Sequence, residues 1–344
     1  MLLAAHHPHL KLLGLSAVHG NASLAQTTNS VLSILTALGR TDVAVYPGAV
    51  KPLRRDAVHA PNIHGKSGID GTDLLPKPLT SPQTDVSAVR AMRDALLAQP
   101  AGSAYLIATG VLTNIAALFN EYPEVATHIK GLSIMGGVIG GGFTDAILGK
   151  VKGQGDRVGN HTPWAEFNIF CDPEAADLIF SNRELANKTT LIPLDLTHKV
   201  LATAPVQHRL LNGPDPRDPS TATPPPTEIQ PLILRPLLHD LLTFFASTYA
   251  NVYGITAGPP LHDPIAVAVI LDAIGAEKLG FDGMKERYTV KVDTSDTEQV
   301  GRTMVSLTSS GEGVTIPKSL DAEGFWDLVE ECIVRAEDVL RASG

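Results

Sequence analysis

The sequence predicts an α/β fold, a doubly wound and mostly parallel sheet with helices on both faces. Three observations carry this. Short apolar, β-prone runs alternate with amphipathic helical patterns along most of the 344 residues, which is the rhythm of strand–helix–strand crossovers. Polar clusters recur just beyond the apolar runs, where open α/β sheets bind their ligands. Hydrophobic residues make up 44% of the chain and charged residues 18%, so a core can be filled and global disorder is excluded.

The elements follow in order. "MLLAAHH" reads as the end of an apolar helix, and "KLLGLSAVHG" as a strand. Leu24, Val31, Leu35 and Leu38 then fall on one helical face, with Gly39 as a C-terminal stop. "DVAVYPGA" is a second strand, and "DVSAVRAMRDALLAQ" puts Val86, Val89, Met92 and Leu96 on one helical face. "SAYLIATG" is a strand, followed by the helix "TNIAALFNEYP" with Thr113 as N-cap. "GLSIMGG" and "TTLIPLDLT" are further strands, and between them "DPEAADLIF" is a helix with Asp172 as N-cap and Pro173 at its first position. "LRPLLHDLLTFFASTYANVYG" reads as one long helix, and "PPLHDPIAVAVILDAIG" opens another. "ERYTVKVDT" and "GRTMVSLTSS" alternate with period two and suit a hairpin, and residues 321–341 form a final amphipathic helix. The expected organisation is a single domain over residues 1–344, with flexible insertions near 140–158 and 213–228 where Gly-rich and Pro-rich stretches break the rhythm.

Composition narrows the function classes. The formal net charge is −9 and Lys and Arg are scattered, so the basic footprint of a nucleic-acid or anionic-membrane binder is lacking. Two cysteines, Cys171 and Cys332, make neither a disulfide framework nor a zinc site and fit a reducing compartment. No apolar run reaches membrane-span length, and the start lacks the pattern of a signal peptide.

Five polar stretches sit at strand ends, namely "VHGN", "IHGKSGIDG", "TGVLTNIA", "GNHTPWAEFN" and "PPLHDP". Asn21 reads as a turn residue or as an amide aimed into the crevice. His64 reads as a surface-loop histidine or a binding group. Thr113 reads as a cap, or as a hard-cation ligand through its carbonyl. Asp263, followed by Pro264, suits a helix N-cap with a second oxygen free for a ligand. His262 is a structural histidine, or a general acid tuned by the neighbouring carboxylate. Glu166 and Asn168 are two apart and face one side of an extended segment, with Asn160 further back across a turn. A carboxylate and two amides without a basic partner suit polyhydroxyl recognition. They also suit a buried polar network that rigidifies a loop.

Taken in order, "GLSAVHGNASLAQTTNSVLSIL", "IHGKSGIDG", "TGVLTNIAALFNEYP", "GNHTPWAEFNIFCDPEAADLIF", "IPLDLTH" and "GPPLHDPIAVA" resemble the inosine–uridine-preferring nucleoside hydrolase family, in its fungal uridine ribohydrolase form. The resemblance runs through nearly all of the chain. It implies hydrolysis of the N-glycosidic bond of uridine- or inosine-type ribonucleosides to ribose and free base, through an oxocarbenium-like transition state. It implies a calcium ion that holds the ribose hydroxyls and the attacking water. Carried onto this sequence, Asn160, Glu166 and Asn168 would hold the ribose, and Asn21 would sit near the water. The Thr113 carbonyl and Asp263 would be calcium ligands, and His262 would protonate or otherwise stabilise the leaving base. Met135 and His64 would line the pocket, and Tyr249 and Tyr253 would touch the base. A small-molecule nucleoside is the expected partner, with no nucleic acid or membrane, in a cytoplasmic homodimer or homotetramer; N-terminal targeting stays open.

The sequence departs from the family at its start. The family opens with a strand ending in a DTDPGxDD-like motif that supplies the general base and most calcium carboxylates. No such motif occurs here, a difference of roughly 20 residues by typical element lengths. Val111 stands where the family usually has proline. Two readings follow from the resemblance: a ribonucleoside hydrolase of which this sequence is an incomplete version, or a catalytically impaired nucleoside- or ribose-binding protein on the same fold. A third, a Rossmann-like enzyme with a nucleotide cofactor, lacks a GxGxxG or a P-loop after a strand.

Overall fold

A computed structural model describes residues 1–60, 65, 68–151, 155–156, 158–214 and 233–343. The strands among them are β1 (Leu15–Ala17), β2 (Val45–Pro47), β3 (Tyr105–Ala108), β4 (Gly131–Met135), β5 (Lys150–Val151), β6 (Gly155–Asp156), β7 (Thr189–Ile192), β8 (Tyr288–Val292) and β9 (Thr303–Leu307). β1 pairs with β2 in parallel, Leu15 opposite Val45. β3, β4 and β7 form a parallel sheet in that order, with Tyr105 opposite Gly131 and Leu132 opposite Thr189. β8 and β9 make the antiparallel hairpin expected near the C-terminus.

β4 is buried along its whole length, as a strand covered on both faces must be. Its period-two alternation sorts the two layers. Leu132 and Ile134 pack with Leu118, Ile179 and Val290, from the helices Thr113–Glu121 and Pro173–Ser181 and from β8. Met135 faces the other way, with Ile265, Leu271, Phe325 and Ile333 of the helices Asp263–Ala273 and Ala322–Ser343. The helices-on-both-faces architecture holds. The parallel strands fall into two groups, however, and β1 is not hydrogen-bonded to β3. The Asn114 side chain ties the two ends together. It donates from Nδ2 to the Ala17 carbonyl (2.8 Å) and accepts at Oδ1 from the Ala49 N–H (2.8 Å).

Several local expectations change. The helix Thr113–Glu121 has Leu112 at its N-cap position, and Thr113 is its first helical residue. The Thr113 hydroxyl is spent elsewhere, so Thr113 is not a cap. Asp263 likewise lies inside its helix and makes no side-chain cap. Glu166 and Asn168 are not on an extended segment, because Phe167–Cys171 is a short helix with Glu166 at its N-cap. The long helix expected over 234–254 is broken into Leu234–Thr243, Ala246–Thr248 and a π-helical turn, Tyr249–Tyr253. Single π turns are rare and often mark functional sites. Here the wider turn sets both tyrosine rings side by side, their centroids 5.1 Å apart. Gly254 ends it at φ +73°, the left-handed region that glycine adopts without strain. Asp172 caps Pro173–Ser181 as expected, accepting from the Ala175 N–H at 3.1 Å. Most of the second insertion, and His64, lie outside the described residues. No helix among the described residues is long and apolar enough to cross a membrane.

Candidate active site

The site lies at the carboxyl ends of β4 and β7, as the fold class dictates. Met135 ends β4 and is buried. Beyond it the Gly137 N–H donates to Glu166 Oε2 at 2.8 Å. The Asn168 and Ile169 N–H groups reach the same carboxylate at 2.9 and 3.1 Å. A buried carboxylate thus closes the open N-terminus of a helix, where orphan N–H groups and the helix dipole favour negative charge. Burial pushes the Glu166 carboxyl up to about 7, against the three N–H donors that hold it down. Asn168 donates from Nδ2 to the Met135 carbonyl at 3.2 Å. Asn160 accepts at Oδ1 from the Phe167 N–H at 2.8 Å, and the Asn160 carbonyl accepts from the Tyr253 hydroxyl at 2.9 Å. The three polar side chains expected to act together are therefore one hydrogen-bonded unit around residues 166–168.

Tyr253 links this unit to a second. Its ring stacks near Tyr249, whose hydroxyl lies 2.7 Å from His262 Nε2. His262 Nδ1 lies 2.7 Å from Thr197 Oγ1. Both ring nitrogens are engaged by protein groups, so the imidazole is fixed in plane. Burial, Tyr253 and the carboxylates of Glu166 and Asp263 push the Tyr249 phenol up from its ordinary value. It is therefore a neutral hydrogen-bond donor.

Asp263 is exposed at the surface, so burial raises its carboxyl only to the small extent that water contact allows. Glu166, Asp172 and Asp195 are buried and accept from backbone N–H groups, whereas Asp263 has no such bond among the described residues. It is the carboxylate this crevice offers to a ligand.

Thr113 and Asn21 make no side-chain hydrogen bond to this cluster among the described residues. The Thr113 hydroxyl donates to Asp172 Oδ2 at 2.6 Å, 59 residues away in sequence, and accepts from His19 Nε2 at 3.0 Å. His19 is buried, its Nδ1 has no partner among the described residues, and burial lowers its pKa to about 4. Asn21 is half-buried after β1, and its amide makes no hydrogen bond to the described residues. A calcium ion takes six to eight oxygens. No group of three or more His, Cys, Asp or Glu suited to a metal occurs among the described residues. Asp263 and one carbonyl do not fit such a site, so no step below is routed through calcium.

Three groups that the sequence reading passed over complete the site. Asp195, buried after β7, accepts from the Ile139 and Gly140 N–H groups at 2.8 Å each and pins the chain beyond β4. Thr197 holds His262, and His198 packs beside it. All three lie in "LDLTH", and their signal was polar residues directly after an apolar strand.

The family model described as inosine-uridine preferring nucleoside hydrolase matches residues 1–327. The chain belongs to this family. Membership makes it a nucleoside hydrolase, an enzyme that cleaves an N-glycosidic bond with water. A uridine nucleosidase of Saccharomyces cerevisiae is 34% identical over 98% of this chain and 92% of its own length. A pyrimidine-specific ribonucleoside hydrolase of Citrobacter koseri is 34% identical over 96% of this chain and 92% of its own. Among solved structures, a purine-preferring ribonucleoside hydrolase from Gardnerella vaginalis superposes with a TM-score of 0.74 at 25% identity, covering 97% of this chain and 94% of that one. A plant nucleoside hydrolase does so with a TM-score of 0.73 at 24% identity, covering 96% and 93%. Nothing in these comparisons favours the impaired-binding reading over hydrolysis.

Proposed function

We propose that the chain hydrolyses pyrimidine ribonucleosides, with uridine as the preferred substrate, in the crevice between Glu166–Asn168 and Tyr249–His262. The observation that carries this reading is the joining of two chemically different units by one hydrogen bond, Tyr253 to Asn160. One unit is rich in acceptors and amides, suited to ribose hydroxyls. The other is a tyrosine–histidine pair, suited to a leaving base. The pyrimidine preference is drawn from the names of the yeast and bacterial relatives.

In this reading the C1′–N bond breaks and its electron pair goes to the base. Positive charge spreads over C1′ and the ring oxygen, where the carboxylates of Glu166 and Asp263 stabilise it. The base takes its proton from the Tyr249 hydroxyl, which is replenished from His262. Water adds to C1′, and its proton passes to Asp263, the carboxylate facing solvent. Asn168 and Asn160 orient the ribose, and Met135 forms the apolar wall beneath it.

Two expected results test this. Uridine is turned over with a kcat/KM at least tenfold above that of inosine, an extra discrimination of about 1.4 kcal/mol in transition-state binding; parallel assays of base release decide it, and equal values contradict the assignment. The second concerns pH. Burial raises the Glu166 carboxyl to about 7, so it ionises only as pH climbs through that range. Since the ionised form does the work, kcat/KM rises from pH 5 to 7.5, and a flat profile would refute the role given to Glu166.

A further inference from the structure

His198 takes no part in the steps above, yet it touches every base-side residue. It follows the short helix Leu194–Thr197 and is 4% exposed. Its ring centroid lies 5.6 Å from that of His262, 5.8 Å from Tyr249 and 6.0 Å from Tyr253. The Tyr249 contact is edge-on, at 88°. His198 Nδ1 lies 2.7 Å from the Ile147 carbonyl. A carbonyl only accepts, so Nδ1 carries the hydrogen and Nε2 of the neutral ring is a bare acceptor. That Nε2 is buried and has no partner among the described residues. An unmatched buried acceptor is costly.

We propose that His198 is a positioning residue for proton delivery to the leaving base: a neutral wedge that holds Tyr249 and His262 at hydrogen-bond distance and ties them to the loop 139–149. This rests on the reading of the Tyr249–His262 pair as the proton donor. The geometry supplies both parts. The wedge is the four-ring cluster of His198, Tyr249, Tyr253 and His262. Thr197, the neighbour of His198 in the chain, holds the other nitrogen of His262, so a shift of His198 moves the imidazole from two sides. The tie is the Ile147 bond, and it is not alone. The Thr144 hydroxyl donates to the Asp195 carbonyl at 2.6 Å, and Lys199 pairs with Asp145 at 2.6 Å. Gly149, at φ +86°, packs so closely on Tyr253 that a Cβ there would lie 2.9 Å from its ring. Burial lowers the His198 pKa to about 4, which keeps the wedge uncharged beside the donor pair.

The test is a comparison of leaving groups in His198→Phe, which keeps a ring but cannot bind Ile147. On uridine, kcat should fall about tenfold or more, as misplacement of a catalytic pair does, with KM within about twofold. On p-nitrophenyl riboside, whose leaving group departs as a stable anion and needs no proton, kcat should stay within about threefold. Equal losses on both substrates, or no loss on uridine, overturn the proposal. Should His198→Phe not fold, His198→Asn, whose amide can still reach the Ile147 carbonyl, is compared on the same two substrates with the same criteria. If the unmodified protein hydrolyses neither substrate, the functional reading has failed, and ¹⁵N histidine spectra at pH 7 then judge His198 by itself. An Nδ1-protonated His198 in the unmodified protein and altered His262 resonances in His198→Phe support the positioning role; His262 resonances that do not move overturn it.

Discussion

Replacing His262 by alanine lowers kcat on uridine by about 10²–10⁴-fold, the range that a positioned general acid contributes, while KM changes little. The effect follows from geometry. His262 is held between Thr197 and Tyr249 at 2.7 Å on each side, so its loss removes the proton source and frees the tyrosine hydroxyl at once. The Tyr249 hydroxyl, pushed above its ordinary value by burial, is then a poor proton source for the leaving pyrimidine because nothing replenishes it. The same variant should lose about tenfold or less on p-nitrophenyl riboside, because that leaving group needs no proton. Steady-state kinetics on the two substrates check the prediction, and equal losses would mean that His262 acts on the ribose side or on folding instead.

Glu166 carries the second large effect, and it divides between stability and catalysis. Glu166→Ala leaves the N–H groups of Gly137, Asn168 and Ile169 without their acceptor in a buried setting. Loss of a cap costs about 0.5–2 kcal/mol, and a buried donor left unsatisfied costs about 1–3 kcal/mol. Since the effects overlap, we expect about 2–4 kcal/mol, read from the urea midpoint at an unchanged slope. Glu166→Gln separates the roles. Its oxygen can still accept from the helix N-terminus, so about half of that stability returns, but the negative charge opposite the oxocarbenium ion is gone. Turnover should stay about 10²–10³-fold down, the scale of one removed electrostatic contact to developing charge. A glutamine variant with full turnover would make Glu166 a cap and nothing more.

Much of the architecture was legible because periodicity survives tertiary packing. The hairpin β8–β9, the buried strand β4 and the C-terminal helix all follow from alternation or from a helical apolar stripe. The places that differ have contacts distant in sequence. Phe-Asn-Ile-Phe reads as extended by local preference, yet Glu166 and the turn after β4 fold it into a helix whose cap doubles as a site residue. Thr113 has the chemistry of a cap, but Asp172 and His19, 59 and 94 residues away, take its hydroxyl. The π turn that pairs Tyr249 with Tyr253 leaves no mark in the spacing, since residues four apart share a face in an ordinary helix as well. His198 was hidden for the opposite reason. A histidine after a strand is unremarkable until its ring is seen against three others. The residues proposed for the ribose side, and His262, stood out because polar groups at strand ends are uncommon among so many apolar neighbours, whereas Tyr249 and Tyr253 came only from the family resemblance. The hydrogen bonds that join them belong to the tertiary structure.

The central claim is that this crevice breaks an N-glycosidic bond and that Asp263 is its working carboxylate. The most direct test is the release of free uracil and ribose from uridine, followed by chromatography with the purified chain and with Asp263→Ala. Equimolar uracil and ribose from the unaltered chain, and at least 10²-fold less from the variant, are the predicted result. Uridine bound but not cleaved by the unaltered chain, or cleavage undiminished in the variant, would contradict the account.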